Sequence, residues 1–269
     1  MCIFVHSPKE WYFYGVPLPH GKVPSQDKHE EPVPGGKDGE EKDFIVDWFR
    51  DGEKFLDTEE EMLDMLPGDR VKAKEVMHSI TQNETKSFTL ATLPISVYTA
   101  GLTDENGKES ENVYHRLNAD IRLASKCRAQ ERREIRAAWG LYIRALITSL
   151  RALHPFDGYC YRGIRTTEEE IERHYYAGAR IRWTSFTSAS WSMNAAFQFA
   201  KFYLPCEAGQ THTMFRIKSA TGRRIDHFSM LDKEDEILFE PNSWFAVANP
   251  QAKADPPCIH SPRLLSNKS

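Results

Sequence analysis

Residues 113–125, VYHRLNADIRLAS, and residues 135–153, IRAAWGLYIRALITSLRAL, decide the first half of the fold. Their apolar side chains recur at steps of three and four residues, and this spacing predicts two amphipathic helices. From residue 159 onward the sequence changes to short runs such as THTMFRIK at residues 211–218, whose alternation predicts strands. Helices followed by strands predict an α+β fold rather than a doubly wound one. The predicted strands are Tyr159–Tyr161, Ile181–Phe186, Thr213–Ile217, Glu236–Phe239 and Ser243–Val247.

Two capping boxes mark the starts of shorter helices. Thr58 lies three residues before Glu61, and Thr167 lies three residues before Glu170. At this spacing each side chain can bond the backbone N–H of the other residue, which stabilises the first turn of a helix. The first of these helices is predicted to stop at Pro67-Gly68, and Gly178 is placed to end the second.

The composition limits the partners and the location that we expect. The 269 residues carry a formal net charge of −4, so no overall positive field collects nucleic acid or anionic lipid. Residues 122–151 have a local charge of +6, which we interpret as a solvated helix face. The N-terminus lacks a signal-peptide pattern, and no run of 18 apolar residues is present. We therefore expect no membrane contact, and a cytoplasmic protein or a secreted effector.

The first segment suited to chemistry is Tyr161-Arg162-Gly163, at the end of a predicted strand. The Arg162 guanidinium can form bidentate bonds to phosphate oxygens. Gly163 lacks a Cβ, so a flat ligand can approach its backbone. By itself the tripeptide is also typical of a surface arginine before a turn.

The second segment, Phe186-Thr187-Ser188-Ala189-Ser190, is a run of small hydroxyl residues that follows an apolar stretch. One hydroxyl here can face a cleft while the next caps a helix that begins near Ser192. A serine nucleophile is not indicated, because no GxSxG motif surrounds the run.

The third segment is Glu234-Asp235-Glu236, which leads into the apolar run Ile237-Leu238-Phe239. On an extended backbone, residues two apart share a face, so Glu234 and Glu236 are predicted to point the same way. Two carboxylates at the mouth of a buried strand can stabilise a developing cation or hold a cationic group. By itself the segment also fits a solvated turn.

In their order along the chain, these three segments resemble the mono-ADP-ribosyltransferases of the Arg-Ser-Glu class, the cholera-toxin-like and vertebrate arginine-specific enzymes. The segments Tyr98-Thr99 and Tyr114-His115-Arg116-Leu117-Asn118 are similar to the Tyr-Thr and Tyr-x-x-Leu-Asn segments of that family. The resemblance covers roughly residues 75–250. It implies an ADP-ribosyltransferase-like fold, with a helical N-terminal lobe followed by a mixed and antiparallel β-sandwich around an NAD cleft. Residues 1–75 are then an N-terminal extension with a flexible segment, 76–250 the catalytic domain and 251–269 an irregular tail.

The resemblance also implies a role for each site residue. Arg162 would bind the NAD phosphates, and Gly163 would offer its backbone to the nicotinamide amide. Ser188 would hold the nicotinamide ribose and the catalytic glutamate. Glu236 would be that glutamate, and Glu234 would orient an arginine side chain as acceptor. NAD is then a substrate, and the chemistry requires no metal.

The activity that the resemblance implies is transfer of ADP-ribose from NAD to arginine side chains of a protein acceptor, with release of nicotinamide. Two alternatives stay open at this point. An NAD glycohydrolase would hand the ribosyl cation to water instead. A catalytically inactive binding module on the same fold would use the basic residues 122–151 to dock a partner.

Overall fold

The computed structural model describes residues 2–6, 33–34, 53–68, 70–83, 88–100, 102–103, 109–110, 112–203, 208–231 and 235–248, with the backbone alone for 2–6, 33–34, 102–103, 109–110 and 202–203. These residues form seven helices and eleven strands, which confirms the α+β prediction. Among them, no helix combines the length and the apolar character needed to cross a membrane.

Helices dominate the first half of the described chain. They are α1 (Glu59–Met65), α2 (Arg70–Thr81), α3 (Leu93–Thr99), α4 (Val113–Lys126) and α5 (Ala129–Ala152), with α6 (Glu168–His174) and α7 (Met193–Tyr203) later, among the strands. Helices α4 and α5 confirm the two helices predicted from the three- and four-residue spacing.

Helices α1, α3 and α4 pack against α5, and α2 packs against α1 and α3. The buried side of α5 includes Trp139, Tyr142, Leu146 and Leu150, which recur at helical spacing. The Trp139 indole N–H donates to Asp120 of α4 at 2.6 Å, and the Tyr142 hydroxyl donates to a main-chain carbonyl of α3 at 3.1 Å. The polar ends of the buried aromatic rings therefore join neighbouring helices instead of remaining without partners.

The predicted helix starts are observed. The Thr58 hydroxyl accepts from the Glu61 N–H at 3.1 Å, and Thr167 forms a full capping box with Glu170. Gly68 and Gly178 follow these helices at φ values of 105° and 87°, which residues with a Cβ rarely adopt.

Nine strands form one sheet in the order β2-β6-β11-β1-β8-β5-β7-β10-β9, and β3 and β4 pair separately. The β1–β11 pair is parallel, and the other strand pairs are antiparallel. The strands are β1 (Cys2–His6), β2 (Val33–Pro34), β3 (Leu102–Thr103), β4 (Glu109–Ser110), β5 (Gly158–Thr167), β6 (Arg180–Trp183), β7 (Thr187–Ser190), β8 (Gln210–Ser219), β9 (Arg223–Arg224), β10 (Glu236–Phe239) and β11 (Ser243–Val247).

The nine-stranded sheet folds over on itself. The Phe239 ring on β10 lies 5.4 Å from the Phe245 ring on β11, although four other strands lie between β10 and β11 in the strand order. Trp183 on β6 packs on Phe245 with ring centroids 4.3 Å apart. The two halves of the sheet therefore face each other across an apolar layer, as the predicted sandwich requires.

The hydroxyl run at residues 187–190 is itself a strand, β7, which was not predicted as one. Residues 2–6 were predicted to lie in the N-terminal extension, yet they form β1 between β11 and β8. Helices α1 and α2 bury Met62, Val76 and Ile80 in the same apolar cluster as α4 and α5. The predicted domain boundary at residue 76 stays a prediction.

The contact between α7 and β5 leads to a stability prediction. A Cβ on Gly163 would lie 2.3 Å from the Ala200 Cβ and 2.9 Å from the Ala196 carbonyl oxygen, so α7 would have to move. We expect Gly163→Ala to lower the free energy of unfolding by about 1–3 kcal/mol, measured by urea denaturation.

Gly140 provides the matched control, because it lies inside α5 with only the flexible Arg136 side chain 3.6 Å from an added Cβ. Gly140→Ala should raise the free energy of unfolding by about 0.5–1 kcal/mol. Equal effects of the two substitutions would contradict the close packing of α7 on Gly163.

Candidate active site

Glu236 is a buried carboxylate at the start of β10, with only 3% of its surface exposed. Along β10, Ile237 and Phe239 lie in the apolar layer of the sandwich, and Leu238 lies in the apolar cluster of the helical lobe. Because alternate residues of a strand share a face, Glu236 points toward the same side as Leu238. The carboxylate therefore lies where the sheet meets the helical lobe.

Ser188 reaches this carboxylate from the neighbouring strand. In the β7–β10 register, Ser190 pairs with Glu236 and Ser188 with Leu238, so Ser188 is diagonal to Glu236 on the same face. The Ser188 hydroxyl donates to the Glu236 carboxylate. Ser190 instead donates to the Asp235 carbonyl at 3.4 Å and accepts from the Ser192 N–H at 3.1 Å. The two serines of the Ser-x-Ser pair thus make different contacts.

Arg162 on β5 lies beside Ser188. Its Nη1 donates to the main-chain carbonyl of Ser188, and its guanidinium lies 5.8 Å from the centre of the Trp183 ring. Strands β5 and β7 pair at Tyr161 and Ser190. The structure therefore brings Arg162, Ser188 and Glu236 together on three adjacent strands.

Gly163 lies directly under α7, so the described structure gives this glycine a packing reason: any Cβ would collide with Ala200. The sequence pattern indicated only the approach of a ligand to its backbone. The predicted contact with nicotinamide stays a prediction.

The expectation that Glu234 and Glu236 share a face rested on an extended backbone through Asp235, and that premise is wrong. Asp235 has a φ of 49°, in the left-handed region, and its carbonyl accepts from the Trp191 N–H at 3.0 Å. The period-two rule does not extend across such a turn. Glu234 itself lies outside the described residues.

The surroundings of Glu236 set its charge state. Burial raises the pKa of this carboxyl above its usual range. The hydroxyls of Ser188 and Ser229 oppose the rise, because they donate to the ionised form, and the negative charge of Asp226 adds to the rise. The ionised carboxylate therefore depends on its two hydroxyl partners.

Two residues near the site, Asn118 and Ser229, make hydrogen bonds that were not predicted from the sequence. The Asn118 amide donates to the Tyr98 hydroxyl at 3.0 Å and accepts from the Phe186 N–H at 3.1 Å, which fixes the chain just before β7. Asn118 and Tyr98 were quoted for the resemblance, without a role. Ser229 donates to Glu236 Oε2 at 3.1 Å. It lies in no motif, and a single serine in a turn gives no signal in the sequence.

Comparison with known proteins identifies the family. A family model described as NAD:arginine ADP-ribosyltransferase matches residues 65–261. Two relatives from Gallus gallus are NAD(P)(+)--arginine ADP-ribosyltransferase 1 and 2, which are 31% identical over 108 residues and 33% identical over 101 residues. These matches cover 40% and 38% of this chain, and the chain spans only 30% and 28% of the relatives.

Among solved structures, the type III effector XopAI from Xanthomonas axonopodis pv. citri aligns at a TM-score of 0.47 and 18% identity, over 77% of this chain and 84% of that one. The ADP-ribosyltransferase Vis from Vibrio splendidus, in complex with agmatine, aligns at 0.43 and 19%, over 73% and 81%. The family model spans well over half of the sequence and includes Arg162, Ser188 and Glu236, so the chain belongs to the NAD:arginine ADP-ribosyltransferase family.

Proposed function

We propose that this chain transfers ADP-ribose from NAD to arginine side chains of a protein acceptor and releases nicotinamide, as a mono-ADP-ribosyltransferase. Family membership supports the proposal, and so does one observation above the others. The buried Glu236 carboxylate accepts hydrogen bonds from two hydroxyls, and the Arg162 guanidinium bonds the main-chain carbonyl of Ser188, which carries one of them. Within the part of the chain that the structure describes, no cation bonds this carboxylate. Burial of an unneutralised charge is costly, and proteins retain such arrangements chiefly at functional sites.

The proposed chemistry follows from the charge of Glu236. When the bond from the ribose C1′ to the nicotinamide nitrogen breaks, nicotinamide leaves with the electron pair and the sugar becomes an oxocarbenium-like cation. A fixed carboxylate facing that sugar stabilises the cation more than it stabilises the ground state. A guanidinium nitrogen of the acceptor then bonds to C1′ and gives up a proton to water. Glu236 supplies charge stabilisation in this scheme and forms no covalent intermediate.

The other predicted residues take supporting roles in the proposal. Arg162 binds the NAD phosphates while its Nη1 stays on the Ser188 carbonyl, which ties the phosphate site to the strand that carries the serine. Ser188 holds both the nicotinamide ribose and Glu236. Gly163 offers its backbone to the nicotinamide amide, and Glu234 orients the acceptor arginine. We also propose residues 76–250 as the catalytic domain, to which β1 and helices α1 and α2 contribute.

The proposal predicts separate effects for the two carboxylates of Glu-x-Glu. Glu236→Gln should lower the rate of nicotinamide release from NAD by about 10²–10³, because one oriented charge is worth about 3–4 kcal/mol in the transition state. Glu234→Gln should keep NAD hydrolysis and lose the modification of agmatine, a small arginine analogue. Both are measured as nicotinamide release and agmatine labelling.

Glu240→Gln is the matched control. This carboxylate follows β10 and forms an ion pair with Arg151, with 2.8 Å between Nη2 and Oε2, instead of a bond with Ser188 or Ser229. The substitution should leave both rates within about twofold. If the native chain releases nicotinamide but never labels agmatine, the activity is NAD glycohydrolysis. If it neither binds nor consumes NAD, an inactive binding module is the better account.

The same charge should reduce stability. Below its ordinary pKa of about 4.3, a carboxyl whose folded-state pKa is raised does not lower the free energy of unfolding, because it is protonated in both states. The free energy of unfolding falls as the pH rises from there through the folded-state pKa. Gln cannot ionise, so Glu236→Gln should gain in unfolding temperature over the native chain between about pH 4 and pH 7.

Thermal unfolding of both proteins across that pH range checks the sign. Glu240→Gln should show no such gain, because its substitution removes an ion pair rather than a buried unneutralised charge. A Glu236→Gln deficit that is as large at pH 7 as at pH 4 would contradict the cost assigned to the buried carboxylate.

A further inference from the structure

Ser229 contacts the reactive carboxylate from outside the Arg, Ser and Glu-x-Glu motifs. It lies in the turn between β9 and β10, with no exposed surface. Its hydroxyl donates to Glu236 Oε2 at 3.1 Å. This hydroxyl and that of Ser188 reach the carboxylate from two separate segments, the turn and β7.

The direction of the Ser229 hydrogen bond follows from the chemistry of the two groups that make it. The Ser229 oxygen accepts from the Leu231 N–H at 3.2 Å, which occupies one of its lone pairs. A serine hydroxyl carries one proton, and an ionised carboxylate can only accept. The Ser229 proton therefore points to Glu236 and favours the ionised form.

The turn that carries Ser229 is held by helix α3. Ser96 donates to the Phe228 carbonyl at 2.9 Å, and the Met230 N–H donates to the Thr99 hydroxyl at 2.9 Å, so one α3 hydroxyl bonds each neighbour of Ser229. The Ser229 N–H also donates to the Ile225 carbonyl at 2.7 Å. A buried hydroxyl fixed by its neighbours on both sides loses little entropy when it binds the carboxylate.

Among the groups described around Glu236, it is the hydroxyls that stabilise its ionised form. Within the described residues, Asp226 acts on Glu236 through its negative charge, and Arg224 pairs with Asp226 at 2.7 Å. Asp235 directly precedes Glu236 in the chain. On the other side, Arg162 bonds the Ser188 carbonyl.

We propose that Ser229 is a positioning residue for the transfer reaction, which holds the Glu236 carboxylate ionised and fixed in direction while helix α3 holds Ser229. The role in the reaction rests on the function proposed above. The contact itself does not, since it concerns the charge state of Glu236 in the free protein.

The test compares the pH dependence of kcat/KM for nicotinamide release in the native chain and in Ser229→Ala. Loss of one donor to the charged carboxylate should move the midpoint of the acidic limb up by about one pH unit and lower kcat/KM at pH 7 by up to about tenfold. Thr99→Val, which loosens the turn and keeps Ser229, should move the midpoint in the same direction by less. Ser229→Thr, which keeps a hydroxyl, should restore the native midpoint.

Ser219→Ala is the matched control. Ser219 is also fully buried, and its hydroxyl accepts from the Gly222 N–H at 3.1 Å, so its loss weakens the fold without touching Glu236. A uniform fall in rate with an unchanged midpoint in Ser229→Ala, as expected for Ser219→Ala, would overturn the proposal.

A second readout needs no activity. The ¹³C carboxyl signal of Glu236, assigned by its absence in Glu236→Gln, should titrate at higher pH in Ser229→Ala than in the native chain. If this shift is seen and no variant consumes NAD, the proposed function fails while the Ser229 contact stands. If the titration is unchanged, the positioning role of Ser229 is wrong whatever the enzyme does.

Discussion

The Glu236 carboxylate, buried where the folded sheet meets the helical lobe, is the constraint on which the surrounding structure depends. A charge removed from water must be compensated locally. No guanidinium or ammonium among the described residues bonds it directly, and the compensation comes from the hydroxyls of Ser188 and Ser229. An ion pair would neutralise the charge, whereas hydroxyls keep it available to a cation that forms during a reaction. We therefore expect the buried charge to lower the stability of the fold.

The two segments that carry these hydroxyls are held by the helical lobe. Asn118 of α4 accepts from the Phe186 N–H two residues before Ser188, and Thr99 and Ser96 of α3 bond the residues on either side of Ser229. The helices therefore do more than cover the sheet, because they set the positions of the two segments that meet at Glu236. A site built this way keeps its geometry through contacts of residues that never touch a substrate.

Much of this was open to prediction from the sequence. Three- and four-residue spacing located α4 and α5, and capping boxes located the starts of α1 and α6, because these signals are local. The order of Arg162, Ser188 and Glu236 pointed to the family. Three features depend on contacts between distant parts of the chain, and no local pattern encodes them. They are the strand pairing of residues 2–6, the strand at 187–190 and the turn at Asp235. The contact of Ser229 with Glu236 was not predicted for the same reason.

The central claim is that Glu236 faces the sugar of NAD at the point where the glycosidic bond breaks. A crystal structure of the native chain with a non-hydrolysable NAD analogue tests it most directly. We predict the Glu236 carboxylate within hydrogen-bond distance of the nicotinamide ribose, with Ser188 and Ser229 still bonded to it and Arg162 on the phosphates. An analogue bound away from these residues, or a carboxylate turned from the ribose, would contradict the account.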